Sequence, residues 1–508
     1  MTGTNDTSPA RAGRREWLAL GVLVLVVLLL TIDGTVLYLA VPSLTADLGP
    51  SATELLWIGD IYSFVLAGLL ITMGNLADRI GRKRLLLIGS GAFGAASVAA
   101  AFASDPETLI AARALLGVAG ATLMPSSLSI VRATFTDAGQ RTRAIAIWSA
   151  GATAGAAAGP LVGGLLLENF WWGSVFLINM PVMLLVLVTG YLLLPESRGR
   201  SDQPVDLASS ALSILAIVPL VYAVKHWVGS GPDWSVPATA AVGLAAGWAF
   251  LRRQKRLRFP LLDVSLFKVP AFAGSVAANA LAIFAFMGLL YFFSQYLQLV
   301  RGYGPLQAGL AELPSTIASM AVIVFVGALA ARLGTGRSIG AGLAAGAVGL
   351  AGLGLAASLP SYWGLGVFLV VIGLGIGIAM TLSTDAVVTA VPKERAGAAS
   401  SIAETGYELG GALGIAVLGS IQVAVYRADL DLPPALPPAD TAAVEQSLAT
   451  AVAAVADHDA LAAARESFTT AVQATAFLAA AILAVSAVLA WRVIPSATAG
   501  TEEEHVHA

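Results

Sequence analysis

The chain has 508 residues, of which 57% are hydrophobic and only 12% are charged, and its net charge is −3. Soluble domains carry about 25% charged residues, so the composition excludes an ordinary soluble protein, and the small net charge indicates no nucleic-acid partner. The sequence contains no cysteine, which excludes disulfides, thiolate metal sites and cysteine catalysis. Apolar stretches recur along almost the whole chain and predict an all-α polytopic membrane protein.

These apolar stretches predict fourteen transmembrane helices, because about 20 residues are needed for each span. The first stretch is too long for the core of a signal peptide and lacks a small-residue cleavage site, so we predict that it is retained. In chain order the predicted helices lie at 17–40, 54–75, 84–104, 107–130, 143–167, 173–194, 206–225, 237–251, 271–298, 307–331, 338–357, 362–386, 397–424 and 469–492.

The basic residues predict the orientation of these helices. When the N-terminus is placed in the cytoplasm, basic clusters such as 79–84 and 252–258 fall on the inner side. The opposite side receives only Lys225, Arg301, Arg427 and Arg465. This asymmetry follows the positive-inside rule and places both termini in the cytoplasm. The excess of arginine over lysine is typical of a GC-rich bacterial genome, so we predict a location in the bacterial inner membrane.

Two pairs of segments repeat at nearly one spacing. "GNLADRIGRKR" at 74–84 aligns with "GALAARLGTGR" at 327–337, and "RAIAIWSAGATAGAAAGPLVGG" from Arg143 aligns with "RAGAASSIAETGYELGGALGIA" from Arg395. The offsets, 253 and 252 residues, predict two six-helix units in the same orientation with a helix pair inserted between them. Transporters built in this way bind substrate at mid-membrane between the two units.

The repeat predicts five divisions of the chain. They are a cytoplasmic N-terminus at 1–16, an N-terminal six-helix half at 17–200, an inserted two-helix linker at 201–260, a C-terminal six-helix half at 261–492 with an external loop at 427–467, and a disordered cytoplasmic tail at 493–508.

Three motifs resemble those of a known family. "GNLADRIGRKR" resembles the loop signature of the major facilitator superfamily, and "GATAGAAAGPLVGG" at 151–164 resembles the fifth-helix motif of its antiporters. "TIDGTVLYLAVPSL" at 31–44 resembles the first-helix signature of its fourteen-helix drug:proton antiporters. The resemblance implies the major facilitator fold and export of lipophilic cations such as quaternary ammonium compounds and dyes. The sequence has no Walker-type phosphate loop, so we expect the proton gradient to drive transport without a cofactor.

Two acids lie within apolar helices of the N-terminal half. Asp33 is about 24 Å along the first predicted helix, and Asp60 has a similar depth in the second. A charge there costs about 2.5–3.5 kcal/mol, so such residues usually face a cavity and are functional. A carboxyl group in a low-dielectric setting can exchange protons near neutral pH and can attract a cation, which makes proton and cation compete. Either acid could instead be permanently protonated and hydrogen-bonded between helices.

Trp57 lies three residues before Asp60 and shares its helical face. A tryptophan ring beside a carboxylate suits a lipophilic cation through cation–π attraction. The alternative is that Trp57 anchors the helix at the membrane interface.

The C-terminal half carries three candidate acids. Glu312 lies one residue from the position that matches Asp60 in the repeat, and Glu404 and Glu408 lie four residues apart on one helical face. The repeat partners of Glu404 and Glu408 are alanines, so we predict that the substrate cavity is lined by one of these glutamates, with Tyr407. Glu312 could instead be a rim residue open to water, and Glu408 could be partly structural.

Arg113, in "RALLGVAGA", is predicted to be buried in the fourth helix. The resemblance implies a role in proton coupling, because the family has an arginine at this place. A buried arginine needs a carboxylate or several carbonyl groups as partners, and pairing with carbonyl groups alone is the other interpretation.

Two further groups are predicted to govern the change of conformation. The first, here called the latch, is a cytoplasmic charge relay that stabilises the outward-facing state; the alternative is that its basic residues only set the orientation in the membrane. Its residues are Gly74, Asp78, Arg79, Gly81 and Arg82. The second, here called the glycine stripe, permits close helix packing and a bend. Its residues are Gly155, Gly159, Pro160, Gly163 and Gly164.

These observations predict a proton-coupled exporter of lipophilic cations that functions as a monomer in the lipid bilayer, is not an enzyme and binds no metal. A second hypothesis is a self-resistance exporter of an endogenous antibiotic or another neutral or zwitterionic amphiphile. A third is a membrane sensor or lipid-handling protein without transport.

Overall fold

The structure is a computed structural model that describes residues 12–197, 206–231, 233–258, 260–391, 396–434 and 436–495. The predicted tail from residue 496 onward and Arg395, where the second repeat begins, lie outside these residues. The helices are α1 (Arg14–Leu48), α2 (Ala52–Ile80), α3 (Arg82–Ala101), α4 (Pro106–Thr134), α5 (Ala138–Asn169), α6 (Ser174–Leu177), α7 (Asn179–Leu193), α8 (Leu207–Ser230), α9 (Ser235–Gln254), α10 (Pro270–Gln295), α11 (Pro305–Leu333), α12 (Thr335–Ala356), α13 (Tyr362–Thr389), α14 (Ala396–Asp429), α15 (Pro438–Gln446), α16 (Leu448–Ala454) and α17 (His458–Val493). A 3-10 turn at Val264–Lys268 precedes α10, and a π turn at Tyr296–Val300 follows it.

Each of the fourteen predicted spans coincides with a helix, the sixth span being formed by α6 and α7 together. Among the described residues, eleven helices are long and apolar enough to cross a membrane, and the bent helices α5 and α11 raise this number to thirteen. Of the fourteen predicted spans, the one that is not among these thirteen is α9. This helix is rich in alanine and glycine and has two arginines in its last turn.

Polar caps set the starts of these helices. Before seven of the described α-helices, a side chain accepts a hydrogen bond from a backbone N–H of the first turn, which satisfies a donor that has no partner within the helix. The residues are Ser51, Asp105, Asp137, Asp206, Ser361, Ser447 and Asp457. At the other end of α1, Gly49 has a φ of 60°, a left-handed conformation that favours glycine.

The two halves meet along two seams. α2 packs on α14, and α5 packs on α11. In the sequence repeat α11 corresponds to α2 and α14 corresponds to α5, so the two seams are equivalent. At the end of the bundle where α1 turns into α2, here called the distal end, Tyr291 Oη donates to the Leu55 carbonyl at 2.9 Å and Gln298 Nε2 to the Leu39 carbonyl at 3.1 Å. The halves are therefore joined at the distal end.

The inserted helix α8 covers the seam between α2 and α14. It runs antiparallel to α2, and Val221 of α8 belongs to one apolar cluster with Phe64 of α2 and Ala416 of α14. α9 packs on α8. The sequence predicted that this span ends at residue 225 and that Lys225 is an external charge. This prediction is wrong, because α8 continues to Ser230 and Lys225 is fully buried.

The segment predicted as an external loop is a packed cap over the distal end. Tyr426 Oη donates to the Val444 carbonyl at 2.9 Å, and Gln446 Nε2 donates to the Pro50 carbonyl at 3.1 Å. Arg465 Nε donates to the Leu299 carbonyl at 3.1 Å. These bonds tie α15 to both halves and the start of α17 to the π turn after α10.

Candidate functional site

The first acid, Asp33, forms a buried ion pair. Arg113 Nη1 lies 3.4 Å from one oxygen of Asp33, and Asn179 Nδ2 donates to the other at 2.7 Å. The remaining guanidinium nitrogens donate to the carbonyl groups of Ile58 at 3.1 Å and Gly59 at 3.4 Å. Arg113 thus has both kinds of partner that a buried arginine needs, and it links α1, α2 and α4.

Aromatic rings complete the surroundings of Arg113. Its guanidinium carbon lies 5.0 Å from the centroid of the Tyr62 ring and 5.9 Å from that of Phe176. At these distances the rings attract the cation. The Asp33–Arg113 pair is therefore enclosed by groups from α1, α2, α4, α6 and α7.

The second acid, Asp60, is also paired. Lys225 Nζ lies 2.9 Å and 2.7 Å from the two oxygens of Asp60, and both side chains are fully buried. The same ammonium lies 3.9 Å from the centroid of the Trp57 ring. Trp57 and Asp60 therefore both contact a lysine of the inserted helix, and their binding of a substrate cation stays a prediction.

Glu312 of α11 is 3% exposed, and its Oε1 atom has no hydrogen-bond partner among the described residues. Its carboxyl group lies within hydrogen-bond reach of Ser294 on α10. The acid is buried rather than exposed at a rim, so the interpretation as a water-accessible rim residue is wrong for this conformation.

Glu404, Tyr407 and Glu408 of α14 all keep partial exposure. A side chain at Gly410 or Gly414, on the face of α14 opposite Glu408, would clash with the backbone of α10. The glutamates therefore point away from α10, and Glu408 lies within hydrogen-bond reach of Ser63 on α2.

Tyr38 of α1 contacts α10 of the C-terminal half. Its hydroxyl is 3.6 Å from the sulfur of Met287, and its ring centroid is 5.5 Å from that of Tyr291. It is close enough to Asp60, Glu312 and Glu408 to feel their charges. Tyr38 therefore connects α1 to Met287 and Tyr291 of α10.

The acids of the two halves differ in their charge balance. Asp33 and Asp60 are each neutralised by a basic side chain. Within the described part of the chain, no ion pair joins Glu312, Glu404 or Glu408 to a basic residue. Of these five acids, the three without a basic partner among the described residues are therefore in the C-terminal half.

The latch residues pack within the N-terminal half. Arg82 Nε donates to Asp78 at 2.7 Å, and Arg82 Nη1 donates to the Ser129 carbonyl of α4 at 3.3 Å. Gly81 has a φ of 116°, and a Cβ there would lie 2.7 Å from the Glu196 carboxylate. Gly74 faces Pro125, and Arg79 is exposed. Asp78, Arg82 and Gly81 thus connect the junction of α2 and α3 to α4 and to the segment after α7.

Asp78→Asn is expected to lower pH-gradient-driven ethidium efflux about tenfold, which corresponds to ~1.4 kcal/mol in a rate-limiting step. Both partners keep access to water, with side-chain exposures of 35% for Asp78 and 19% for Arg82, so stability should change by less than about 1 kcal/mol. Efflux from everted vesicles and thermal unfolding of the purified protein measure the two effects. Asp385→Asn, at an exposed acid of α13, is the matched control, and equal efflux in both variants would remove Asp78 from the latch.

The glycine stripe belongs to α5 and packs against α1 and α11. Side chains at Gly155 and Gly159 would clash with the hydroxyl groups of Thr31 and Thr35, and a Cβ at Gly163 would lie 2.6 Å from Val36. Gly164 faces the other half, where a Cβ would lie 2.6 Å from Leu306 Cα.

Pro160 contributes to the same contact between the halves. Its carbonyl is so close to Gly309 of α11 that a side chain there would clash with it. The stripe therefore joins α5 to α1 and, through Pro160 and Gly164, to the other half.

A family model described as Major Facilitator Superfamily matches residues 23–415. The chain belongs to this superfamily. It is similar to "Multidrug efflux pump LfrA" of Mycolicibacterium smegmatis, with 46% identity over 96% of this chain and 98% of that protein. It is also similar to "Methyl viologen resistance protein SmvA" of Salmonella typhimurium strain 14028s, with 39% identity over 86% of this chain and 89% of that protein.

A solved structure shares the fold of this superfamily member. It is a bacterial homolog of the human lysosomal transporter Spinster in an inward-facing, unoccupied conformation, with a TM-score of 0.67 and 16% identity over 94% of this chain and 98% of that one. The predicted family and the predicted major facilitator fold are confirmed. The chain is a multi-pass membrane protein of a transporter family.

Sequence reasoning missed three residues of the site in this transporter. Lys225 was assigned to the surface, although the apolar residues that follow it could have extended the helix. Asn179 stands as a polar residue within an apolar stretch, and Tyr38 lies five residues after Asp33 in the first helix. Each of these residues stands out in the sequence, but the sequence does not show which side chain it contacts.

Proposed function

We propose that the chain is a proton-coupled antiporter that exports lipophilic cationic drugs, dyes and quaternary ammonium compounds. The single observation that carries this proposal is the pair Glu404 and Glu408, which keeps partial exposure and, among the described residues, has no basic partner. An unpaired carboxylate beside the Tyr407 ring offers a lipophilic cation both charge and an aromatic surface. The same carboxyl groups can take a proton once the cation has left, which couples the two movements.

Proton coupling is proposed to involve the pair Asp33 and Arg113. A proton on Asp33 would remove the negative charge that holds Arg113 Nη1 at 3.4 Å. Arg113 also donates to two carbonyl groups of α2, so a change at Asp33 is transmitted to the helix that carries Asp60. This gives proton binding a direct mechanical link to the seam between α2 and α14.

The names of the relatives support export of cationic drugs. One is named as a multidrug efflux pump and another as a methyl viologen resistance protein. Methyl viologen is a dication, and Glu404 and Glu408 lie close enough to interact electrostatically. Two neighbouring carboxylates are suited to two positive charges.

The location and assembly belong to the same proposal. The charge asymmetry of the sequence supports insertion in a bacterial inner membrane with both termini in the cytoplasm. A bundle whose halves are joined within one chain supports function as a monomer.

Everted membrane vesicles test the function directly. With an imposed pH gradient, the protein should move ethidium and methyl viologen and should leave a neutral dye of similar size behind. Transport that persists after the gradient is collapsed would contradict proton coupling. Preferred transport of the neutral dye would favour the exporter of neutral amphiphiles instead.

Glu408→Gln is expected to reduce methyl viologen efflux about tenfold or more and to reduce ethidium efflux less, because a dication needs both carboxylates. A tenfold loss of rate corresponds to ~1.4 kcal/mol of activation free energy. Initial rates of efflux at several substrate concentrations measure the two effects. Glu466→Gln makes the same substitution at an exposed position of α17 and serves as the control. Equal losses for both substrates would show that Glu408 does not distinguish their charges.

A further inference from the structure

The cation beside Asp60 belongs to the protein itself. Lys225 Nζ contacts both oxygens of Asp60 and lies 3.9 Å from the centroid of the Trp57 ring. A carboxylate and an aromatic face are the two groups that recognise an organic ammonium ion. The side chain of Lys225 therefore occupies a complete site for an ammonium ion within the transporter.

The docking of α8 does not depend on Lys225 alone. A hydrogen bond joins Thr72 of α2 to Ser210 of α8 at the opposite end of the contact. Between the two ends, Ile214 fills the space left by Gly68, and Val221 belongs to the apolar cluster of Phe64. This contact supplies apolar burial along most of the helix, so docking alone does not account for a buried lysine.

A buried ion pair is a weak source of stability. Its desolvation penalty offsets much of its Coulomb energy, and apolar residues of similar volume often replace such a pair without loss. In Lys225 the charge sits at the end of a flexible four-carbon stem, and α8 ends five residues later, at Ser230. Five residues correspond to roughly 8 Å of helix, so the stem can carry the ammonium toward the distal surface along the seam.

We propose that Lys225 is a tethered cation that occupies the Asp60–Trp57 site of the empty transporter and is displaced by an exported cation. This inference rests on the proposed function, because it assumes that the exported substrate is cationic. Lys225 keeps Asp60 neutralised when no substrate is bound, and a substrate gains the site only by replacing it. The inserted helix thereby sets a threshold of affinity that weakly bound cations do not pass.

The test compares ethidium binding by purified protein variants, followed by fluorescence at one pH. Lys225→Met keeps the length of the side chain and removes the competitor. If the lysine occupies the site about nine-tenths of the time, ethidium should bind about tenfold more tightly to this variant. In the background of Asp60→Asn, Lys225→Met should give no gain, because the shared site is lost. Lys268→Met, at an exposed lysine, should leave binding unchanged.

The opposite results would overturn the proposal. Unchanged or weaker ethidium binding by a folded Lys225→Met variant would make Lys225 a docking residue only. If that variant does not fold, Lys225→Arg decides. Arginine holds a carboxylate with two parallel hydrogen bonds, so the Lys225→Arg variant should bind ethidium more weakly than the unmodified protein. Unchanged ethidium binding by this variant would contradict the proposal. If the unmodified protein shows no gradient-driven efflux, the proposed function is overturned instead. Failure of the tethered-cation proposal and failure of the proposed function are therefore distinguishable.

Discussion

Asp33→Asn is expected to reduce gradient-driven ethidium efflux at least about a hundredfold, the order of loss when a proton-transferring side chain is removed. Asparagine has the shape of aspartate and can still contact Arg113 and Asn179, but it cannot carry a proton or a negative charge. Everted vesicles with an imposed pH gradient measure the effect. Full efflux in this variant would exclude Asp33 from proton coupling.

The same substitution leaves the charge of Arg113 buried without a carboxylate. Removing one partner of a buried pair costs about 3–5 kcal/mol, although the two carbonyl groups that Arg113 also contacts should reduce this cost. The double variant Asp33→Asn with Arg113→Gln should therefore regain thermal stability without regaining efflux. Recovery of both properties would show that Asp33 acts only by neutralising the arginine.

Gly159→Leu is expected to abolish efflux and to lower the thermal stability of the protein. A side chain at Gly159 would clash with Thr35 of α1, and overpacking of this kind costs about 1–3 kcal/mol or more. Gly21→Leu is the matched control, because nothing lies within 4 Å of the position where a Cβ would be at Gly21. Normal efflux and stability in Gly159→Leu would mean that α1 and α5 can separate without harm.

A compensating substitution separates packing from other causes. Gly159→Ala should show a smaller loss than leucine, and Thr35→Ala in the same chain should restore part of the efflux by removing the hydroxyl that the new Cβ meets. A double variant as impaired as the single one would exclude a steric cause at Thr35. Efflux and unfolding temperature are compared for the unmodified protein, Gly159→Ala, Gly159→Leu and the double variant.

Much of the architecture was predictable from the sequence. The apolar stretches located every helix that crosses the bundle, because the length and hydropathy of a span are local properties of the chain. The repeat predicted which helices correspond, and the packing of α2 on α14 and α5 on α11 is the one expected for two equivalent halves. The end of α8 was predicted too early because Lys225 was treated as a charge that must reach water.

The candidate site was only partly predictable. An acid within an apolar helix is visible in the sequence because charges are rare there, so the positions of Asp33, Asp60 and Glu312 could be named in advance. Their partners could not be named. Hydropathy describes the cost of burying a charge but contains no information about which distant side chain offsets it.

The sequence by itself determined the positions and order of the long helices, the parallel repeat and the presence of buried acids, since each depends on residues that are neighbours in the chain or on a fixed offset. The tertiary structure alone decided that Asp33 meets Arg113, 80 residues away, and that Asp60 meets Lys225, 165 residues away. It also decided that Glu404 and Glu408 keep partial exposure. The physical reason is that an ion pair requires two side chains within a few ångströms, and only the packing of one helix on another brings such distant residues together.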